Sequence, residues 1–526
     1  MNINILWADD EIELLKPHIL FLEEKGYKVT PVQSGRDAID ELEVQLPDLV
    51  FLDEQMAGLS GIDTLKIIKQ RWPQLPVVMI TKSEEEHIME DALGGKISDY
   101  LTKPVNPSQI LLTVKKHTEL RRLQSEHSTQ NYQRQFREIG MQLSERMTAE
   151  EWVEMYKRLV YWDLELAGTD DDNIHDIFLS QKREAQAMYC RFYEEHYLDW
   201  LSGKKEKPLM SHTVLQQRLM PLLKGLGGEQ GVRGVGEGSV FLIVIDNFRY
   251  DQWKFVQPLV EQYFRVQREE LYYTIVPTTT QFARNAMFAG LMPSEIERKY
   301  PQYWVNEDEE GWKNQYENEL LEENLRRHGI GIKHTYNKVL NAQYGKRLVD
   351  KLPEMLRVPL NVIIYNFIDM LSHARTDSDI VRELADDERA YRSLTLSWLE
   401  HSPLMEMLQA LSEKNIAVVI TTDHGSVKID RPVRVKGDRD ISVNLRYKQG
   451  RLLDYRAEDV FEVKDPARLF LPRRHLTSPY IFCRGSDFFA YPNNYNEYVK
   501  YYTNTFQHGG ISMEETLVPL IVLRPR

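Results

Sequence analysis

The run AVVITTDHGS, residues 417–426, is apolar and β-branched until it ends in Asp423-His424-Gly425. A strand that reads as fully buried yet delivers a carboxylate, an imidazole and a glycine at its last turn is placing chemistry at a sheet edge. Other runs in the second half end similarly. VFLIVID stops at Asp246, NVIIYNFID at Asp369 with His373 beyond it, LYYTIVP leads to Thr280, and FQHGGISMEETLVPL adds His508. Three Asp, three His and a hydroxyl without a thiolate suit catalytic rather than structural zinc, with Mn²⁺ as the rival. Six such ligands are too many for one tetrahedral ion and right for a pair about 3.5–4 Å apart. Two dications against three carboxylates and an ionised Thr280 leave the site neutral overall. Such cations lower the pKa of a threonine hydroxyl and stabilise a phosphoryl group under in-line attack.

Thr280 opens QFARNAMFAG, an amphipathic stretch that reads as a helix ending at Gly290, with its first N–H groups toward the phosphate. Arg284, one turn in, is a candidate substrate-binding residue, with a surface or ion-pairing role equally open. Three consecutive threonines, 278–280, leave Thr279 open as the nucleophile. His328, His334, His475 and Arg484 read as surface or pocket-shaping residues.

The first half carries a second set. INILWA, YKVTPV, DLVFLD, PVVMIT and DYLTK alternate with helical stretches, which predicts a five-stranded doubly wound parallel sheet. The carboxyl ends of its strands supply Asp9, Asp10, Asp53, Thr81 and Lys103. Three carboxylates in one crevice repel one another unless a cation holds them, and oxygen ligands suit Mg²⁺. A carboxylate beside Mg²⁺ can attack a phosphoryl group, with Lys103 offsetting charge and Thr81 hydrogen-bonding the acyl phosphate.

The elements that must hold these sets divide the 526 residues three ways: an α/β sheet domain over 1–120, a helical region over 121–225, and a larger α/β sheet domain over 226–526. The glycine-dense stretch GLGGEQGVRGVGEGS marks the last junction. With 42% hydrophobic residues the chain can bury cores, and Cys190 and Cys483 stand isolated, which suits a reducing cytosol. A formal charge of −14 disfavours duplex DNA, and no apolar run approaches the ~20 residues that insert in a membrane.

ILWADDE, VFLDEQMAGLSGID, VVMITKS and DYLTKP resemble the receiver domain of two-component response regulators. The resemblance implies phosphorylation of Asp53 by a histidine kinase, Mg²⁺ on Asp9, Asp10 and Asp53, phosphoryl binding by Thr81 and Lys103, and a switch at Tyr100. Residues 240–526 resemble the alkaline phosphatase superfamily, and more closely its PglZ branch, through the order Asp, Thr, Asp-x-x-x-His, Asp-His-Gly, His-Gly-Gly. That resemblance implies one zinc on Asp246, Thr280, Asp423 and His424 and another on Asp369, His373 and His508. It favours Thr280 as nucleophile, because its spacing to Gly290 matches the family's. The whole arrangement resembles response regulators linked to type IX secretion in Bacteroidota. It implies a cytoplasmic location, a homodimer on phosphorylation, and a sigma factor or secretion-related protein as partner. The expected activity is a phosphorylation-controlled phosphodiesterase acting on nucleotides or short oligonucleotides. The alternative is a non-catalytic zinc-binding module that signals by dimerisation and protein contact.

Overall fold

A computed structural model describes residues 3–72, 75–81, 98–168, 172–224, 238–307, 309–385, 387–414, 416–437, 442–473 and 478–526. Residues up to Arg134 form one compact unit, and Gln135–Ala167 with Asp172–Arg526 form another.

The first unit is built on strands β1 (Asn4–Ala8), β2 (Lys28–Val32), β3 (Leu49–Asp53), β4 (Val77–Thr81) and β5 (Asp99–Thr102). They run parallel in the order β2-β1-β3-β4-β5, the doubly wound sheet expected. Alternate side chains of one strand enter opposite faces, so β1 sends Ile5 and Trp7 into one core and Leu6 and Ala8 into the other. Among the helices, Gly35–Val44 and Gly61–Arg71 start where Ser34 and Ser60 accept the backbone N–H of Asp37 and Asp63.

The second unit centres on a six-stranded sheet. Strands β6 (Val240–Ile245), β7 (Phe264–Tyr273), β8 (His334–Val339), β9 (Leu360–Tyr365) and β10 (Ala417–Thr421) are joined by a C-terminal strand, Leu517–Pro525. The order is β7, C-terminal strand, β10, β6, β9, β8. Strands β8, β9, β6 and β10 are mutually parallel, and the C-terminal strand runs antiparallel to both of its neighbours. Its amino end therefore lies where the others have their carboxyl ends, which is how a residue before it joins residues after them.

Two readings of the sequence shift. The strand expected over LYYTIVP is Phe264–Tyr273, earlier in the chain, and its charged residues suit an edge strand with part of its surface in water. The helices Ala149–Ala167 and Asp172–Leu201, read as a segment between domains, pack into the second unit, with Trp152, Tyr156, Tyr189 and Tyr193 fully buried there. Among the described residues no helix is long and apolar enough to cross a membrane.

Candidate metal centre and phosphoacceptor site

Asp246 follows β6 directly, Asp369 sits in the first turn of the helix Phe367–Asp377 after β9, and Asp423-His424 follow β10. Two compact groups result: Asp246, Asp423 and His424, all buried, and Asp369, His373 and His508, of which His373 is exposed. In the first, His424 Nε2 lies 3.7 Å from Asp246 Oδ1 and 3.6 Å from Asp423 Oδ2. In the second, Asp369 reaches His373 Nε2 and His508 Nε2, each at 3.5 Å. The His424 and His508 rings stack at 4.3 Å and join the groups.

The hydroxyl of Thr280 stands at the first group, 3.2 Å from His424 Nε2 and 3.5 Å from Asp246 Oδ1. Thr278 is engaged elsewhere, donating to the Gly510 carbonyl at 3.0 Å, and the Thr279 hydroxyl is buried without a hydrogen-bond partner among the described residues. The helical segment from Thr280 to Ala289 ends at Gly290, whose φ of +60° is the left-handed conformation that glycine adopts cheaply.

The donor atoms are ordered by hydrogen bonds to the backbone. His424 Nδ1 faces the Gly425 carbonyl and His508 Nδ1 the Thr278 carbonyl, both at 3.1 Å. A carbonyl only accepts, so each Nδ1 carries the proton and each Nε2 presents its lone pair. Burial pushes the His508 imidazole down to about 3, and lowers that of His424, so both are neutral at physiological pH. Asp423 Oδ2 is buried without a hydrogen-bond donor among the described residues. Burial and the nearby Asp423 and Asp369 push the Asp246 carboxyl up to about 8 against the opposing pull of Arg284. Carboxylates this crowded, facing neutral imidazoles, make a site that divalent cations would satisfy.

Arg284, for which substrate binding and ion pairing were equally open, is ion-paired here. It is buried and donates to Asp246 Oδ2 at 2.6 Å and to Glu317 at 2.7 Å. Its helix turns it toward the sheet, so it fixes Asp246 by one oxygen while the other faces Thr280. Glu317 also pairs with Lys338 at 2.8 Å and accepts from Tyr336. Nothing in the charged run ENELLEENL distinguishes Glu317 as buried. Asn247, beside Asp246, was also missed. It adopts φ +63°, its N–H meets Asp423, and its side-chain amide meets Asp369, both at 3.4 Å. Gly425 has no room for a side chain, since a Cβ there would meet the Glu514 carbonyl at 2.0 Å.

Among the other candidates, Arg484 is engaged by Glu194 and His334 lies 3.1 Å from Asn318 Oδ1, while His475 lies outside the described residues. Phe482, Phe488 and Phe489 are fully buried.

In the first unit, Asp9, Asp10 and Asp53 form a third carboxylate cluster. Lys103 Nζ lies 3.0 Å from both Asp9 and Asp53. Burial raises the Asp53 carboxyl despite its hydrogen bond from Lys103, and Asp9 and Asp10 add to that rise. The Thr81 hydroxyl donates to Glu54, and Tyr100 is exposed on β5.

Residues 232–523, more than half of the chain, match the family model of the BREX system PglZ alkaline phosphatase-like domain. The chain belongs to the PglZ family. Ahead of the PglZ domain, residues 5–115 match the response regulator receiver domain and 122–201 the PorX response regulator linker domain. The three together match a PorX-type fusion. The receiver portion is 34% identical over 117 residues to the alkaline phosphatase synthesis transcriptional regulatory protein PhoP of Bacillus subtilis, covering 22% of this chain and 48% of that protein. It is 36% identical over 115 residues to the transcriptional regulatory protein ZraR of Escherichia coli, covering 22% and 26%. The chain thus spans about half or less of the length of these curated relatives. A receiver domain structure from Clostridium thermocellum is 26% identical with a TM-score of 0.22, covering 23% of this chain and 98% of that one. A receiver implies a phosphodonor such as a histidine kinase, and receiver and alkaline-phosphatase-like domains generally use divalent metals.

Proposed function

We propose that the chain is a response regulator, phosphorylated on Asp53, that controls a C-terminal zinc-dependent phosphodiesterase. The observation that carries the reading is the Thr280 hydroxyl, set 3.2 Å from His424 and 3.5 Å from Asp246 at the buried cluster, whose His424 ring stacks on His508 of the second cluster. Asp246, Thr280, Asp423 and His424 would hold one zinc, and Asp369, His373 and His508 the other, Mn²⁺ being the rival for the same donors. Bound there, the pair would lower the pKa of the Thr280 hydroxyl and offset charge on the phosphoryl group.

Thr280 Oγ1 attacks phosphorus, an Oγ–P bond forms, and one ester oxygen leaves with its alcohol. Water then cleaves the Oγ–P bond and restores the hydroxyl. Arg284 holds Asp246 in register with Thr280 throughout, and the carbonyls of Gly425 and Thr278 hold the two imidazoles. Nucleotide or short oligonucleotide diesters are the substrate class we assign. In the receiver, Asp9, Asp10 and Asp53 would hold Mg²⁺, Lys103 and Thr81 bind the incoming phosphoryl group, and Tyr100 carries the switch. The chain acts in the cytoplasm downstream of a histidine kinase, dimerises when phosphorylated, and passes the signal to a sigma factor or a protein of type IX secretion.

Hydrolysis of bis-p-nitrophenyl phosphate by the zinc-loaded protein tests the enzymatic half. Thr280→Ala should lower the rate at least a hundredfold when compared at equal zinc content. Equal rates at equal zinc content would leave the module non-catalytic.

A further inference from the structure

The helix Asp172–Leu201 turns one stripe of side chains toward two short segments of the PglZ domain. Residues 182, 186, 189, 190, 193 and 197 recur at helical spacing and so share a face. Four of them engage the segment that follows His508. Cys190 Sγ donates to the Ile511 carbonyl at 3.3 Å, and Gln186 accepts the Met513 N–H at 3.1 Å while donating to Glu514 at 2.9 Å. Tyr189 meets the Thr516 hydroxyl at 2.6 Å, and Lys182 pairs with Glu514 at 3.4 Å. The other two engage the segment that precedes Thr280. Tyr193 donates to the Thr274 carbonyl at 2.9 Å, and the Tyr197 hydroxyl accepts the Val276 N–H at 3.1 Å.

The two segments also meet each other on the side toward the metal clusters. Gly509 N–H donates to the Thr278 hydroxyl at 2.9 Å, and Gly510 N–H donates to Glu515 at 2.8 Å. Glu515 is fully buried and paired with Arg446 at 2.6 Å. Thr280 lies two residues beyond this junction on one segment, and His508 immediately before it on the other.

We propose that this helix is a brace that sets the distance between Thr280 and His508, and that Gln186, Tyr193 and Tyr197 are positioning residues for the two halves of the centre. The inference deepens the reading of a two-cation site and rests on it. The stripe makes its hydrogen bonds to the two segments. It acts through the backbone of 274–276 and 511–516, and a slide along its axis would carry both segments together, whereas loss of one contact set would part them. The region matched as a linker is thereby a wall of the effector.

Full-length Tyr193→Phe/Tyr197→Phe removes two hydroxyls and keeps the rings, and Gln186→Ala releases the other segment. Zinc per chain, kcat and KM on bis-p-nitrophenyl phosphate, and hydrogen exchange in peptides 274–280 and 508–516 are measured beside the thermal midpoint. The double variant should keep two zinc ions and its KM while kcat falls about tenfold, the cost of a sub-ångström misplacement of a reacting group. Gln186→Ala should fall toward one zinc per chain and exchange faster in 508–516 alone. Restoring the amide as Gln186→Asn should recover part of the lost zinc. Unchanged kcat and zinc in both variants would overturn the brace, as would a kcat that falls only in step with the folded fraction. If the wild-type protein binds zinc without hydrolysing the diester, the enzymatic reading fails while zinc content and exchange still judge the brace. If it binds no zinc, the two-cation reading fails and the exchange pattern decides.

Discussion

Asp246 shows how one carboxylate serves two masters by dividing its oxygens. Oδ1 faces Thr280 and His424, and Oδ2 takes the Arg284 guanidinium at 2.6 Å. Replacing Arg284 by Met keeps the bulk and leaves Asp246 and Glu317 as buried acids without that partner. Breaking one side of a buried ion pair costs about 3–5 kcal/mol. Urea unfolding of Arg284→Met should show a loss of that order, part of it recovered by added zinc. A loss below about 1 kcal/mol would mean that the Arg284–Glu317 pair is not what holds this part of the domain together. At this scale the sequence was informative wherever an acid or imidazole ends a buried strand, because a run such as VFLIVID has few other ways to be read. It left the role of Arg284 open and was silent on Asn247, Glu317 and Glu515. Their types are ordinary on a surface, and only the packing of distant segments makes each of them buried and paired.

Among the elements, the C-terminal strand matters most to the site, because its reversed direction brings His508 to the edge reached by Asp246 and Asp423. The residues of that strand are plainly apolar, but its place between β7 and β10 is a property of pairing across the chain, and no local pattern encodes it. The same holds for the brace, whose aromatic stripe reads as ordinary helix packing until its partners are known. The helices Ala149–Ala167 and Asp172–Leu201 also share a buried charge network with the PglZ domain. Asp163 pairs with Lys182 at 2.9 Å and Arg392 at 3.4 Å, and Arg392 pairs with Asp251 at 3.1 Å. Burial alone would raise the Asp163 carboxyl, but Lys182 and Arg392 outweigh it and hold the carboxyl below its usual value. A carboxyl depressed on folding stabilises the folded state above the unfolded pKa of about 3.9, and that stabilisation is lost as pH falls through the folded value. Thermal midpoints should therefore drop below about pH 4, with a shallower acid dependence in Asp163→Asn than in the wild type. Parallel curves would place the acid sensitivity elsewhere.

For the molecule as a whole, the two sites of phosphate chemistry in this reading, the Asp53 cluster and the paired clusters around Thr280, lie in separate compact units, each with its own sheet and core. The receiver was legible almost throughout, since its five strands and the acids at their ends follow short-range alternation. The larger domain was legible at its strand ends and opaque in its strand order. Acetyl phosphate or beryllofluoride should raise the apparent mass of the chain in light scattering, and Asp53→Ala should abolish the rise. Dimerisation that persists in Asp53→Ala would detach oligomeric state from the phosphoacceptor.

The stacked contact of His424 and His508, 4.3 Å between ring centres, would give the two proposed cation positions a common partition wall. An ion captured on one side would pin its own ring and, by stacking, steady the ring facing the second position. A chain that lost either ring would then loosen both positions at once.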